Sequence, residues 1–439
     1  MMTISATARQ MTVEQYLQLM EEVRERTFYL VEPLSESAIV RQHNPLMSPI
    51  KWDIGHIANF EELWFLQQAL NHPPINEKYN YIYNALTKPR NERERLPLPS
   101  LDETVEYLRF VRSRVSEHLH HFSMDAGDPL LRGGFLFELV IRHEMQHQET
   151  MLIAMQMMDQ GTYTPPERRP VPEGKSRENE MTYFPGGEFV MGWDRSSFAY
   201  DNEQPAHRRV VEPFYIDTVP VTAGDYLQFI RAGGYGRREF WSEEGWRWKE
   251  EAAADAPMFW KELDGAWYQR RFDEVLLVSE REPVSHVNYH EAEAYCRFAG
   301  KRLPTETEWE YAASWIPESG EKLQYPWGES PDSEFANWNQ LEFGPAEVGA
   351  FPLNQSPGGC FDMIGGIWEW TSSDFQAYPG FEAFPYPEYS EIFFGDEYKV
   401  LRGGSWATMD RVISTTFRNW DFPIRQQIFA GFRCARDAE

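Results

Sequence analysis

Cysteine is scarce in this chain of 439 residues: three are present, Cys296, Cys360 and Cys434, and none forms a C-x-x-C pair. Neither a disulfide framework nor a thiolate zinc site is indicated, and reduced thiols fit this usage. Basic charge is also short, with 42 Lys and Arg against 69 Asp and Glu and a net charge of -27. No Lys/Arg run is long enough to track a phosphate backbone, so nucleic acid is not an expected partner. No segment approaches the roughly 20 uninterrupted apolar residues of a membrane span. The opening "MMTISATARQMTVEQYL" lacks an apolar signal core; the expectation is a cytoplasmic protein without a membrane partner. The absence of a fixed-period repeat argues against a solenoid or propeller.

Hydrophobic residues make up 42% of the chain and aromatic residues 15%, enough for sizeable cores. The length favours more than one domain. Residues 1–165 show apolar positions recurring every three or four residues, the signature of amphipathic helices. "TVEQYLQLMEEVRERTFYLV" and "SLDETVEYLRFVRSRVSEHL" each open on a capping box, Thr12 with Gln15 and Ser100 with Glu103. "IKWDIGHIANFEELWFLQQAL" and "FLFELVIRHEMQHQETMLIAMQMM" supply two more helices, and a long connection spans about residues 71–99. A four-helix bundle follows. Residues 166–182, rich in Pro, Gly and charge, read as a linker. Beyond it, residues 183–439 hold all but two of the 16 tryptophans, in short aromatic and β-branched runs broken by Gly, Pro and Asn. That half is expected to be α+β with much irregular structure, so the whole is an α+β multidomain chain.

The stretch "RHEMQHQETM" contains His-Glu-x-x-His, which in zinc peptidases supplies two ligands and a general base. His143 and His147, four apart, share one helix face and can meet one ion. The metzincin continuation is excluded, because Thr150 and Ile153 stand where it needs Gly and His. Glu167, the acidic candidate for a distal ligand, lies in the expected linker. His56, on the second bundle helix, is a better third ligand, since facing helices build metal sites from inward side chains. Three neutral imidazoles with open positions suit a catalytic metal. His118, His120 and His121 fall near a helix C-terminus, where cationic histidine is favoured in any case, and read as surface.

"PLMSPIKWDIGHIANFEELW" and "HEMQHQETML" resemble the DinB-like bundle of the iron-dependent sulfoxide synthases of ergothioneine biosynthesis. "VPVTAGDYLQFI", "PVSHVNYHEAEAYCRFAGKRLPTETEWEYAA", "DMIGGIWEWTSS", "VLRGGSWA" and "FRNWDFPIRQQIFAGFRCA" resemble the formylglycine-generating-enzyme-like (sulfatase-modifying-factor, C-type-lectin-like) domain fused to it in that family. The resemblance covers nearly the whole chain in the same domain order. It implies Fe(II) held by His56, His143 and His147, leaving Glu144 a helix-surface or supporting carboxylate. Tyr386 is implied as the active-site tyrosine. Gln146, Tyr389, Asn419 and Trp420 are implied as contacts to hercynine, a quaternary betaine suited to aromatic faces. Arg90 and Arg93 are implied to grip the carboxylates of γ-glutamylcysteine, with Asp421 and Arg425 as further donor contacts. Acidic Glu92 and Glu94 beside those arginines make a solvated surface the competing reading.

Phe60, one turn past His56, departs from the side-chain amide that relatives can carry. Cys434 is expected to have no close cysteine partner, unlike the reactive pair of a formylglycine-generating oxidase. The implied reaction joins hercynine, a thiol and dioxygen. Cysteine or a selenium donor, a zinc hydrolase built on "HEMQH", and a non-catalytic binding protein remain alternatives. Oligomeric state is not legible.

Overall fold

A computed structural model of the chain describes residues 11–118, 122, 124, 127–174, 180–193, 198–332 and 334–438. It divides into two compact units, one ending at Pro166 and the other beginning at Glu167. Among the described residues no helix is long and apolar enough to cross a membrane.

In the first unit the helices are α1 (Val13–Val31), α2 (Glu36–Val40), α3 (Ile50–Glu61), α4 (Glu77–Ile82), α5 (Leu101–His118) and α6 (Phe135–Gln156). The four long ones, α1, α3, α5 and α6, are those expected of the bundle. Both capping boxes form: Gln15 accepts from the Thr12 backbone N–H at 2.8 Å and Glu103 from that of Ser100 at 2.8 Å. The long connection is not structureless, since it carries α4 and a 3-10 turn over Arg90–Arg95. Past Glu61 the third helix widens into a π-helix, Glu62–Ala69.

All twelve residues of α3 are buried, including Lys51, Asp53, His56, Asn59 and Glu61. A helix buried on every side must pair its polar groups internally. Lys51 donates to the Pro99 carbonyl at 2.8 Å and Asn59 to Asn80 at 2.8 Å. Glu61 is held by Arg112 at 2.6 Å and Arg24 at 2.8 Å. Burial alone would raise the Glu61 carboxyl, but Arg112 and Arg24 outweigh it and hold the pKa below the ordinary value.

Arg24 also reaches Glu144 on α6 at 2.8 Å, so one guanidinium ties α1 to both neighbouring helices. His118 is half-buried against His72, ring centroids 4.8 Å apart, rather than fully exposed. His120 and His121 lie outside the described residues.

The second unit is a set of small sheets and short helices. A four-stranded sheet runs in the order Asn419–Asp421, Lys399–Arg402, Trp368–Asp374, Ala430–Gly431, the last strand parallel to its neighbour. Helices α7 (Ala223–Arg231), α8 (Glu243–Ala252), α9 (Tyr289–Phe298) and α10 (Glu306–Ser314) pack among the sheets and loops. With so little regular backbone, buried ion pairs brace the loops. Arg433 grips Glu369 at 2.7 and 2.8 Å, Arg418 grips Glu306 at 2.9 Å through two nitrogens, and Arg402 pairs with Glu310.

The Pro-rich segment expected to link the domains is applied to this unit along its first part. Arg169 N–H donates to the Leu341 carbonyl at 2.7 Å, Gly174 N–H to Glu347 at 3.1 Å, and Val171 packs against Ala346, Ala350 and Phe351. Proline keeps the segment extended, and its remaining N–H groups find acceptors on the surface they cross.

Removing one member of a buried ion-pair network leaves an uncompensated charge, which costs about 3–5 kcal/mol. Arg24→Met is therefore expected to lower the unfolding free energy of the first unit by about that amount. Denaturant unfolding followed by far-UV circular dichroism checks this.

Candidate metal centre

α3 presents His56 and α6 presents His143 and His147 to one point. Ring centroids are 5.0 Å apart for His56 and His143, 4.7 Å for His56 and His147, and 4.6 Å for His143 and His147. One ligand atom from each lies within 4.8 Å of the others. His56 Nδ1 lies 2.7 Å from the Tyr83 carbonyl, an acceptor, so this nitrogen carries the proton and Nε2 keeps its lone pair. His147 Nδ1 lies 3.1 Å from Asp53 Oδ1, which fixes its tautomer in the same way. The Nε2 atoms of His56 and His143 face each other at 3.2 Å. Two lone pairs at that distance repel unless a proton or a cation lies between them, and a cation shared with His147 satisfies all three.

Burial, then the charge of neighbouring imidazoles, holds the pKa of both His56 and His143 well below the ordinary imidazole range. Both are neutral at pH 7, the state a metal ligand requires.

The support of His56 depends on a glycine. A Cβ at Gly55 would lie 2.2 Å from the Tyr83 ring, so only glycine lets Tyr83 approach and offer its carbonyl. On the other side His56 stacks on Trp52 at 4.7 Å, and the Arg93 guanidinium lies 3.5 Å over that indole. Phe60 lies flat against His143, with centroids 3.6 Å apart and planes 7° from parallel.

Glu144 is not a helix-surface group. It is 3% exposed, and its carboxylate accepts from Arg24 at 2.8 and 3.0 Å and from the Thr27 hydroxyl at 2.7 Å. Both oxygens are committed within the bundle, so the general base of a His-Glu-x-x-His hydrolase is missing.

Gln146 sits on the half-buried stripe of α6 with His143, His147 and Thr150. Arg93 is 6% exposed and donates to the Lys88 carbonyl at 2.9 Å, Ser48 Oγ at 2.7 Å and the Ala85 carbonyl at 3.3 Å. The solvated-surface reading holds for Glu92 and Glu94, which are exposed, but not for Arg93. Arg90 is half-buried, with its guanidinium 3.4 Å from the Leu46 carbonyl and 3.9 Å from the Met47 sulfur.

In the second unit, Tyr386, Tyr389, Asn419, Trp420, Asp421 and Arg425 are all half-buried. Tyr389 stacks on Tyr200 at 4.6 Å and meets the edge of Trp420 at 6.2 Å, and Trp420 stacks on Phe375 at 4.1 Å. Tyr386 lies 6.2 Å from Tyr389, edge to face. Its loop is anchored by Asp201, which accepts from Ser390 Oγ at 2.5 Å and the Phe384 N–H at 3.2 Å. Burial, then nearby Tyr200, Asp201 and Glu388, pushes the Tyr386 pKa well up, so the hydroxyl keeps its proton. Asn419 to Asp421 form the edge strand beside Lys399–Leu401, and Asp421 pairs with Arg425 at 3.4 Å.

The expectation for Cys434 is corrected: its sulfur lies 3.3 Å from that of Cys296, both buried. A separation of 138 residues hid the pair. Burial raises the Cys434 pKa well above its ordinary value, which disfavours the thiolate.

Sequence reasoning missed Asp53, Tyr83, Tyr200, Asp201 and Phe375. Asp53 carried a signal, since it precedes His56 by one turn in "WDIGH". The others reach the sites from connecting segments with no periodic mark.

A bundle that converges three imidazoles, followed by a separate α+β unit, fits a metal-dependent enzyme of two domains. Residues 19–151 match the DinB superfamily and residues 167–438 the sulfatase-modifying factor enzyme 1-like domain. The chain is 42% identical to the hercynine oxygenase of Mycolicibacterium thermoresistibile over 433 residues, covering 95% of this chain and 94% of that one. It is 41% identical to the hercynine oxygenase of Mycobacterium tuberculosis over 422 residues, covering 94% and 96%. The formylglycine-generating enzyme of Mus musculus is 31% identical over 289 residues, covering 59% of this chain and 75% of that enzyme. The chain belongs to the hercynine oxygenase family and is an oxygenase.

Two outcomes test the centre. Gly55→Ala is expected to push Tyr83 away, free the His56 tautomer and weaken metal affinity about 10-fold or more, as measured by metal titration. The metal-free protein is expected to lose stability as pH falls below about 6.5, because the unfolded chain then takes up protons that folded His56 and His143 refuse. His286 and His290, lowered by burial to about 4, add to the same slope. A His56→Gln, His143→Gln double variant therefore shows a smaller, not absent, fall in melting temperature between pH 7 and pH 5.

Proposed function

We propose that this oxygenase is an Fe(II)- and dioxygen-dependent sulfoxide synthase that joins an imidazole carbon of hercynine to the sulfur of γ-glutamylcysteine and oxidises that sulfur. The convergence of His56, His143 and His147 in a chain 42% identical to a hercynine oxygenase along its length carries the reading. The balance needs no external reductant. Carbon–sulfur bond formation and sulfoxidation each release an electron pair, together reducing dioxygen, with one oxygen atom on sulfur and the other leaving as water.

Fe(II) at the three imidazoles would supply the one-electron chemistry that dioxygen requires. The protein's own part is positioning and proton supply. Tyr389 and Trp420 offer aromatic faces to a trimethylammonium group, which has no N–H to donate and is held by cation–π attraction. Gln146 in the first unit and Asn419 in the second are each assigned an amide contact to hercynine. Arg90 offers a guanidinium fork to the donor's carboxylates and Arg93 the N–H groups not taken up by Lys88, Ser48 and Ala85, with Asp421 and Arg425 a charge pair for its amino and carboxylate groups. Tyr386, protonated across the physiological range, is assigned the proton donor.

Metal-free protein reconstituted with Fe(II) without air, given hercynine with either γ-glutamylcysteine or cysteine and then exposed to air, tests this. Oxygen uptake and a hercynyl sulfoxide conjugate, seen by mass spectrometry and favouring the dipeptide, are expected. Preference for cysteine overturns the donor assignment, and absence of oxygen uptake with either thiol overturns the reaction. Tyr386→Phe is expected to cut sulfoxide formation by about 100-fold or more while thiol oxidation continues; an undiminished yield overturns its role.

A further inference from the structure

Two of the three imidazoles are held through Nδ1, His56 by the Tyr83 carbonyl and His147 by Asp53. His143 is held differently. Among the described residues its hydrogen-bonding neighbour is the His56 ring, Nε2 to Nε2, which cannot fix its plane from behind. What lies against its plane is Phe60, parallel within 7° at 3.6 Å. Phe60 is itself immobilised: it is 8% exposed, it stands one turn after His56 on the fully buried α3, and further rings lie near it, Trp64 at 6.0 Å and His56 at 6.4 Å.

We propose that Phe60 is a positioning residue for the metal centre, supplying to His143 through ring stacking the orientation that hydrogen bonds supply to the other two ligands. The inference rests on the reading of the three histidines as metal ligands. An imidazole without a partner behind it can turn about its ring bond and swing Nε2 off the common point. A phenyl ring against its face confines that rotation. The same stack favours the metal-bound state. An imidazole that shares its lone pair with a cation becomes electron-poor, and the face of a phenyl ring is electron-rich, so the contact strengthens on metal binding. Phe60 thus does more than fill space between α3 and α6, and the residue type one turn past His56 tunes the centre.

The test is an anaerobic titration of the metal-free full chain with Co(II), whose visible absorption bands report ligand geometry. Unaltered protein, Phe60→Leu and Phe60→Tyr are compared, with thermal unfolding of the metal-free forms run beside them. Phe60→Leu, which keeps an apolar side chain and removes the ring, is expected to weaken Co(II) binding about threefold to tenfold and to change the bands. Phe60→Tyr, which keeps the ring, is expected to restore both. If Phe60→Leu lowers the metal-free melting temperature but leaves Co(II) affinity and bands unchanged, the residue only fills the core and the inference is overturned. If the unaltered chain itself binds no Co(II), the metal-centre reading falls and the inference with it. Phe60→Met makes the same comparison should Phe60→Leu not fold.

Discussion

The first unit depends on the burial of α3 on every side while it carries a lysine, two carboxylates, an asparagine and a histidine. Each of these groups, left alone out of water, would cost more than a packed helix gains. The surrounding helices are therefore specified by what they bring to α3: Arg24 from α1, Arg112 from α5, His147 from α6 and the Tyr83 carbonyl from the connection after α4. The three-histidine cluster is built on one segment of this polar stripe. Asp53 and Glu61 flank His56 in sequence, and each ties α3 to another helix, so His56 is fixed from both directions along its own helix.

The second unit reaches rigidity by another route. Its strands are short, and much of its core is made by Trp309, Trp338 and Trp370 together with three fully buried arginines. An arginine whose fork is filled by a carboxylate and by loop carbonyls acts as a multivalent brace: Arg418 binds Glu306 and also the carbonyls of Asn202 and Gln376. Asn202 follows Asp201, the anchor of the loop that carries Tyr386. The aromatic cluster around Tyr389 and Trp420 therefore rests on irregular backbone that is nonetheless well determined, the condition for presenting a ligand surface from loops.

How much of this was legible in the sequence follows from the range of the interactions. The bundle helices were visible because periodicity and capping act within four residues, and the pair His143 and His147 because one turn of helix brings them together. His56 could be placed on a facing bundle helix and offered as the third ligand, but its distance from the pair is a tertiary fact that no local pattern fixes. Contacts between distant segments were invisible: the burial of Glu144 under Arg24, the approach of Cys296 to Cys434, and the packing of Arg93, itself part of the connection, onto Ser48 and Trp52. Phe60 was noticed as a departure in residue type, yet its place against His143 depends on how two helices meet, which no local pattern encodes.

The π-helical stretch that follows α3 gives the helix a length tolerance confined to one end. Within Ile50–Glu61 the loss or gain of a residue would turn His56 about 100° away from α6 and dismantle the centre. Within Glu62–Ala69 the wide turns already hold surplus backbone. A one-residue deletion there can be absorbed by relaxation to α-helical winding, with the upstream His56 undisturbed. The same helix is thus intolerant of drift where it carries His56 and permissive a turn later, so length can change past Glu61 while the three-histidine cluster keeps its place.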